Sequence, residues 1–170
     1  MKSTTFVGLL AGAALASLTF QTAGAADQAR AAMANAKGES VGEVVLSQTP
    51  HGTLLHARLT GLPAGAHAFH VHAVGKCEAP FKSAGGHFNP DGAKHGIHAE
   101  GGMHVGDMPN IHVPESGALE IEVLNARLML DASLFDADGA AIVIHAGPDD
   151  YKSDPAGAAG PRIACGVIAR

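Results

Sequence analysis

Short apolar or alternating stretches recur along most of this chain. They occupy residues 41–47, 53–59, 67–72, 118–124, 140–145 and 163–169, and most are bounded by Gly, Pro, Asn or Asp. Stretches of this length are typical of β-strands, and the strict alternation in 119–123 predicts a strand with one face in the core and one in water. The pattern predicts an all-β sandwich or barrel.

Two segments depart from this pattern. Residues 26–37 are rich in alanine, and their local propensity favours a helix. Residues 75–114 are dominated by Gly, His, Pro and Asp and show no apolar periodicity. A loop of that length is uncommon in a compact domain unless it has a function, and metal binding could order it.

The N-terminus has the composition of a secretory signal peptide. Lys2 precedes an apolar stretch over 6–20, and the small residues Ala23, Gly24 and Ala25 follow it. We predict a signal peptide over 1–25, cleavage before Ala26, and a single exported domain over 26–170, periplasmic or otherwise outside the cytosol. An uncleaved membrane anchor is the less favoured alternative, because no stop-transfer charges follow the apolar stretch.

The charge balance limits the partners. The chain has 11 Lys and Arg against 16 Asp and Glu, for a formal net charge of −5, and cleavage would remove one further positive charge. Nucleic acid and, after cleavage, anionic membranes are therefore unfavoured partners.

The chain contains two cysteines, Cys77 and Cys165. In an exported protein such a pair tends to be oxidised, so we predict one long-range disulfide. Two unpaired buried thiols are the alternative. Zinc binding by the cysteines is less favoured still, because neither has a second cysteine at ligand spacing.

The histidines form two overlapping metal-ligand patterns. His70 and His72 are two residues apart on a predicted strand, so their side chains point to the same face. His145 ends another apolar strand. His87 is the residue at which the two patterns overlap, since an imidazole without its ring proton can hold a different metal on each nitrogen.

These motifs resemble those of the copper/zinc superoxide dismutase family. The segments that carry the resemblance are His70-Val71-His72, Gly86-His87-Phe88-Asn89-Pro90, His104-Val105-Gly106-Asp107 and the run from Gly160 to Ile168. The resemblance implies a Greek-key β-sandwich or barrel with long metal-binding loops, and a first strand within 26–37. It also implies one copper and one zinc ion per subunit.

Site residues follow from the same resemblance. The implied copper ligands are His70, His72, His87 and His145. The implied zinc ligands are His87, His95, His104 and Asp107. Asp149 would accept hydrogen bonds from His70 and His95, and Arg162 would hold the anionic substrate; a loop carboxylate and a solvated arginine are the alternatives for these two residues.

The implied activity is the conversion of superoxide to dioxygen and hydrogen peroxide by copper redox cycling, with structural zinc and with His87 taking up a proton. The alternative is a non-catalytic periplasmic copper/zinc-binding protein of the same fold. A zinc hydrolase is a weaker third option, because no Glu lies at a suitable spacing to act as general base. A homodimer is a possible assembly.

Some features differ from the general family pattern. The segment from Cys77 to His87 is longer than in animal members and is more like that of the bacterial periplasmic branch. Before Arg162 the loop has few charges, so substrate guidance could fall on Lys152, Lys82 or Lys76. Four histidines, at 51, 56, 98 and 112, lie outside the ligand pattern, and His67 matches a family histidine that supports the core.

Overall fold

The computed structural model describes Met1 and residues 28–170. The predicted signal peptide and its cleavage position fall outside the described residues, apart from Met1. The described chain is almost entirely β-structure. Its strands are β1 Gln28–Asn35, β2 Ser40–Thr49, β3 Gly52–Leu59, β4 Gly65–His67, β5 Phe69–His72, β6 Ile111–Val113, β7 Leu119–Asn125, β8 Ala141–His145 and β9 Arg162–Ala169. A short 3-10 helix covers Lys82–Ala84.

Seven strands form one antiparallel sheet in the order β5-β8-β9-β1-β2-β3-β7, and β4 pairs with β6 in a second sheet. The connection from β5 to β7 joins the two edges of the large sheet, and the connection from β7 to β8 returns across it. Such long returns beside antiparallel hairpins are characteristic of Greek-key folds. The predicted all-β architecture is confirmed.

The first strand shows how tertiary pairing outweighs local propensity. The alanine-rich segment forms β1, which pairs with β2 on one side and β9 on the other. Ala29, Ala31 and Met33 face the core while Gln28 and Arg30 are exposed. This period of two is that of a strand. The helix favoured by composition is therefore not formed, and the segment forms the strand that the family resemblance implies.

The other predicted strands occur close to their expected positions, with two differences. The stretch 67–72 is divided at Ala68 between two sheets, because His67 pairs with Ile111 of β6 whereas Phe69 pairs with Ile144 of β8. The long segment 75–114 is not wholly irregular, since β6 and the 3-10 helix lie within it. A three-residue strand is too short to leave a periodic signal.

A large apolar core is formed mainly by buried side chains of the large sheet. The largest fully buried side chains include Met33, Leu46, Leu55, Leu59, Phe69, Met108, Ile111, Leu128, Leu134, Ile142 and Ile144. Phe69 and Val71 of β5 belong to this core. Because side chains alternate along a strand, His70 and His72 then point away from it, toward the long loops.

Within the described residues, no helix has the length and apolar character needed to cross a membrane.

Candidate dinuclear metal site

The site is built on the β5 edge of the large sheet. β5 pairs with β8, and β8 pairs with β9 so that His145 lies opposite Arg162. His70, His72 and His145 are all buried. Three rigid, paired strands therefore fix three imidazoles and one guanidinium relative to each other.

The long loop is attached to the free edge of β5 by backbone hydrogen bonds. The Ala73 N–H donates to Gly86 O and the Phe88 N–H donates to Val71 O. The Val71 N–H in turn donates to Gly106 O, at 2.9 Å. These bonds bring His87 opposite His72 and Asp107 opposite His70 as isolated bridges. Residues far apart in sequence therefore come to lie next to the β5 histidines.

Two groups of four side chains result, and both are buried. The first group is His70, His72, His87 and His145. The second group is His87, His95, His104 and Asp107. In each group the potential ligand atoms lie within 4.8 Å of one another, and His87 belongs to both. These are the two sets that the family resemblance implies as copper and zinc ligands.

The imidazole of His87 lies between the groups with one nitrogen facing each. Its Nδ1 is 2.8 Å from Asp107 Oδ1 and 3.3 Å from His104 Nδ1. Its Nε2 is buried and has no hydrogen-bond partner, and the same is true of His70 Nδ1. A buried polar atom without a partner costs free energy unless something satisfies it.

Ring nitrogens also face ring nitrogens. His145 Nε2 lies 3.4 Å from His72 Nε2, close to the His70–His87 pair. Lone pairs that converge without a donor are satisfied by a cation. The donor sets fit the two ions implied by the resemblance: four imidazole nitrogens suit copper, whereas three imidazoles and one carboxylate suit a closed tetrahedral zinc site.

Asp149 connects the two groups by binding one histidine of each. His70 Nε2 donates to its Oδ2 at 2.8 Å, and His95 Nε2 donates to its Oδ1 at 3.0 Å. Because each histidine uses its second nitrogen in this way, His70 Nδ1 and His95 Nδ1 are left to face the two ligand groups. Outer carboxylates of this kind fix the tautomer and orientation of metal-binding histidines.

Burial sets the protonation of the histidines. It lowers the pKa of His70 to about 4, against the opposing hydrogen bond to Asp149. Burial, with the nearby His87, lowers the pKa of His72 to about 2, and burial, with His70, lowers that of His145 to about 4. In the protein without metal these rings are therefore neutral near pH 7, which is the form that binds metal ions.

The two carboxylates are held ionised. Burial alone would raise the pKa of Asp149, but hydrogen bonds from His70 and His95 outweigh it and bring the pKa to about 2. Burial likewise opposes ionisation of Asp107, yet hydrogen bonds from His87 and the Gly96 amide hold its pKa well below the usual range. Both groups are therefore anionic near pH 7.

Arg162 is anchored beside the first group by two backbone carbonyls. Its Nη1 donates to Phe81 O and its Nη2 to Gly85 O, each at 2.6 Å. Gly85 O also lies 3.0 Å from His72 Nδ1. The same carbonyl therefore positions both the guanidinium and an imidazole of the first group.

A disulfide fixes the segment that supplies those carbonyls. Cys77 and Cys165 are joined, with an S–S distance of 2.03 Å. Cys165 lies on β9 and packs in a small apolar cluster with Phe81 and Ala84. The disulfide therefore ties the loop around Phe81 to the strand that begins at Arg162.

The three candidate steering lysines differ in position. Lys82 lines the same open depression, of about 390 Å³, as Arg162 and Pro161. Lys76 forms an ion pair with Glu78 at 3.0 Å. Lys152 is exposed. Of the three, Lys82 is therefore the one that shares a depression with Arg162.

The remaining histidines take structural or surface positions. His67 is buried, and its ring nitrogens lie 2.9 Å from His145 O and from Pro63 O, so it supports the backbone of a site residue. His56 contacts Glu120, and His98 packs edge-on against Tyr151. Neither belongs to a group of ligand atoms.

Sequence patterns did not identify three residues that hold Asp149 and His95 in place. Asn110 binds the Asp149 backbone through two side-chain hydrogen bonds, at 2.8 and 2.9 Å. Asp154 accepts from the His95 N–H, and the Gly157 backbone lies against the Asp149 carboxylate. These contacts join distant loops, so no local spacing marks them.

Comparison with known proteins gives a consistent result. A family model described as copper/zinc superoxide dismutase (SODC) matches residues 40–168. The protein named superoxide dismutase (Cu-Zn) 1 of Aquifex aeolicus is 53% identical over 140 residues, which are 79% of this chain and 83% of that protein. The superoxide dismutase (Cu-Zn) of Caulobacter vibrioides is 43% identical over 138 residues, 77% of this chain and 79% of its own.

Two solved structures share the fold. A double mutant of a superoxide dismutase-like protein from Bacillus subtilis has a TM-score of 0.80 and 32% identity, with 83% of this chain and 97% of that one covered. The Cu/Zn superoxide dismutase of Brucella abortus has a TM-score of 0.71 and 30% identity, with coverages of 83% and 99%. This chain belongs to the copper/zinc superoxide dismutase family.

Proposed function

We propose that this chain is an exported copper/zinc superoxide dismutase, whose copper ligands are His70, His72, His87 and His145 and whose zinc ligands are His87, His95, His104 and Asp107. The observation that carries the proposal is the His87 imidazole, whose two buried nitrogens face two different ligand groups. An imidazole shared in this way would link the positions of the two ions.

The net reaction takes two superoxide anions and two protons to one dioxygen and one hydrogen peroxide. Bound copper supplies reversible one-electron redox chemistry, and bound zinc supplies a fixed positive charge in a closed four-ligand site. By family resemblance, His87 would take up a proton at Nε2 when that nitrogen is released as a ligand, while Nδ1 stays beside Asp107. The proton is therefore held within the site where the reduced anion needs it.

Arg162 provides the anion-binding group. Its guanidinium is held by the Phe81 and Gly85 carbonyls and lines the depression that Lys82 also lines. A chain with a net charge of −5 repels an anion at long range, so local positive charge is needed to draw superoxide inward. Arg162 would bind the anion, and Lys82 would increase its local concentration.

The direct test combines metal analysis with a dismutation assay on the purified, metal-loaded protein. We expect about one copper and one zinc per chain, from seven side chains that share one histidine, together with rapid loss of superoxide. Full metal content without dismutation would instead support the non-catalytic metal-binding alternative.

Export and assembly are further parts of the proposal. The disulfide and the signal-like composition of residues 1–25 support export, since disulfides persist in oxidising compartments. N-terminal sequencing of the protein from a periplasmic fraction should give Ala26 as the first residue. A homodimer is proposed by family resemblance, and equilibrium sedimentation of the metal-loaded protein tests it.

A further inference from the structure

Beyond the ligands, one glycine lies directly on the carboxylate that connects the two ligand groups. Gly157 is buried and has a φ of +65°. A Cβ atom at this position would lie 2.4 Å from Asp149 Cγ and 2.7 Å from His95 Nε2, and closer still to Asp149 Oδ1. No side chain fits there unless the carboxylate or the imidazole moves. The backbone itself therefore covers the Asp149–His95 hydrogen bond.

The segment 150–157 is shaped to bring Gly157 to that place. The Gly157 N–H donates to Ser153 O at 2.7 Å, and the Asp150 N–H donates to Gly157 O at 2.9 Å. The Asp150 carboxylate caps the turn by accepting from the Ser153 N–H. We name this segment, residues 150–157, the cap.

A second contact attaches the cap to the other loop. Asp154 Oδ1 accepts from the His95 N–H at 2.8 Å, so the cap binds His95 through the backbone and also covers its ring nitrogen. The Asp149 side chain is only 1% exposed as a result. In this dry environment the hydrogen bonds of the carboxylate are stronger than they would be in water.

We infer that Gly157 is a positioning residue: its lack of a side chain lets the cap close on Asp149 and His95, which makes the geometry at the copper ligand His70 depend on zinc binding at His95. This inference rests on the proposed function, because it assumes metals in both ligand groups. Asp149 can transmit the effect only if its two oxygens remain on both histidines.

The test is Gly157→Ala, with Gly92→Ala as the matched control. Gly92 has a nearly equal φ of +62°, but a Cβ there would meet nothing within 4 Å. Both substitutions therefore place alanine at a similar positive φ, and only one adds a methyl group against Asp149. Zinc affinity is measured by chelator competition, and copper geometry by the visible spectrum of bound Cu(II) before and after zinc is added.

For Gly157→Ala we expect zinc binding weakened about 10- to 100-fold, the range seen when an outer ligand partner is lost. We also expect a smaller change in the Cu(II) spectrum on zinc addition. Gly92→Ala should match the wild type in both measurements. Equal behaviour of the two variants would overturn the inference, whereas a wild-type protein that binds neither metal would overturn the proposed function instead.

The double variant Asp149→Ala/Gly157→Ala separates positioning from general damage to the fold. Removing the carboxylate removes the closest contact of the new methyl group, so Gly157→Ala should have a smaller effect in this background than in the wild type. If Gly157→Ala alone does not fold, the double variant should recover the folding of Asp149→Ala. A double variant that shows the full additive loss, or that stays unfolded where Asp149→Ala folds, contradicts the inference.

Discussion

At the scale of the residue, the histidines of the site differ in how they use their two ring nitrogens. In His70 and His95, one nitrogen binds Asp149 and the other faces a ligand group. In His87 both nitrogens face ligand groups, and no backbone or outer carboxylate holds the ring. His87 is therefore the residue whose loss should affect both metals.

Replacing His87 with alanine tests that role. We expect His87→Ala to weaken zinc binding and to alter the Cu(II) spectrum in the same protein, because each group loses one of its four ligands. His112→Ala, at an exposed position on β6, is the control and should leave both unchanged. Unchanged zinc affinity and copper spectrum in His87→Ala would show that the imidazole is not shared.

The metal-free protein should lose stability in acid because of buried ionisable residues in the site. Burial lowers the folded-state pKa of His70 and His145 from 6.5 to about 4, so the unfolded chain binds more protons between these values. Stability should therefore fall as pH decreases from about 6.5 through about 4. Asp149, whose folded-state pKa is about 2, adds a further loss of stability as the pH falls below its unfolded-state pKa of 3.8.

Urea denaturation of the metal-free protein at a series of pH values measures this dependence. His70→Gln keeps a polar side chain at the site but cannot titrate, so its loss of stability over this pH range should be smaller than that of the wild type. A stability that stays constant from pH 7 to pH 4 would contradict the assignment of these histidines as neutral when folded.

At the scale of the element, the sequence predicts paired strands better than it predicts loop contacts. The alternation in β7 and the apolar run in β8 lead directly to their strands. β1 is ambiguous from composition because alanine favours helices, and only its pairing with β2 and β9 decides the outcome. Local preference cannot report a partner that is distant in sequence.

The same distinction applies to the candidate site. Metal-ligand residue types and the spacing of His70 and His72 are visible in the sequence, as is the likeness of the whole ligand set to a family. The contacts of Asn110, Asp154 and Gly157 are not, since each depends on how two irregular segments meet. Which lysine shares a depression with Arg162 also becomes known only when the loop around Phe81 is placed.

The disulfide connects the loop around Phe81 to β9, and its removal should lower the stability of the protein. The 88-residue separation of the cysteines corresponds to about 4–5 kcal/mol in the chain-entropy treatment. Cys165→Ser should therefore lower the melting temperature of the metal-loaded protein, and reductant should lower it little further. Cys77→Ser/Cys165→Ser is the control for effects of a free thiol and should behave like the single variant.

Equal melting temperatures for the non-reduced wild type and Cys165→Ser would exclude a stabilising role for this bond. Activity offers a second measurement at the same scale. Without the disulfide the loop around Phe81 is less fixed. Because the Phe81 carbonyl holds the Arg162 guanidinium, the position of Arg162 should become less fixed as well. We therefore expect the dismutation rate of Cys165→Ser to fall even at temperatures where the protein is fully folded and metal-loaded.

At the scale of the whole molecule, an acidic chain must attract an anionic substrate. The formal net charge is −5, whereas Arg162 and Lys82 form a local positive region at one depression of the surface. Long-range repulsion and local attraction are both screened by salt, over about 8 Å at physiological ionic strength. The dependence of the rate on salt therefore reports which charges a superoxide anion encounters.

Lys82→Glu and Lys76→Glu form a matched pair for the approach to the site, because both change the net charge by the same amount. Lys82 lines the depression beside Arg162, whereas Lys76 already lies against Glu78. Lys82→Glu should lower the rate at low salt more than Lys76→Glu does, and the difference should diminish as salt is added. Equal losses would mean that net charge, and not position, controls the approach.

Charge reversal at Arg162 tests the final step of capture. Arg162→Glu should reduce the dismutation rate far more than Arg162→Lys, with copper retained in both, because lysine keeps the positive charge although it cannot reproduce the paired contacts to Phe81 and Gly85. The wild-type rate should fall as ionic strength rises, whereas that of Arg162→Glu should stay flat or increase, because salt then screens repulsion. An Arg162→Glu variant with wild-type activity and the same falling salt profile would place Arg162 outside the substrate path and would favour the non-catalytic alternative.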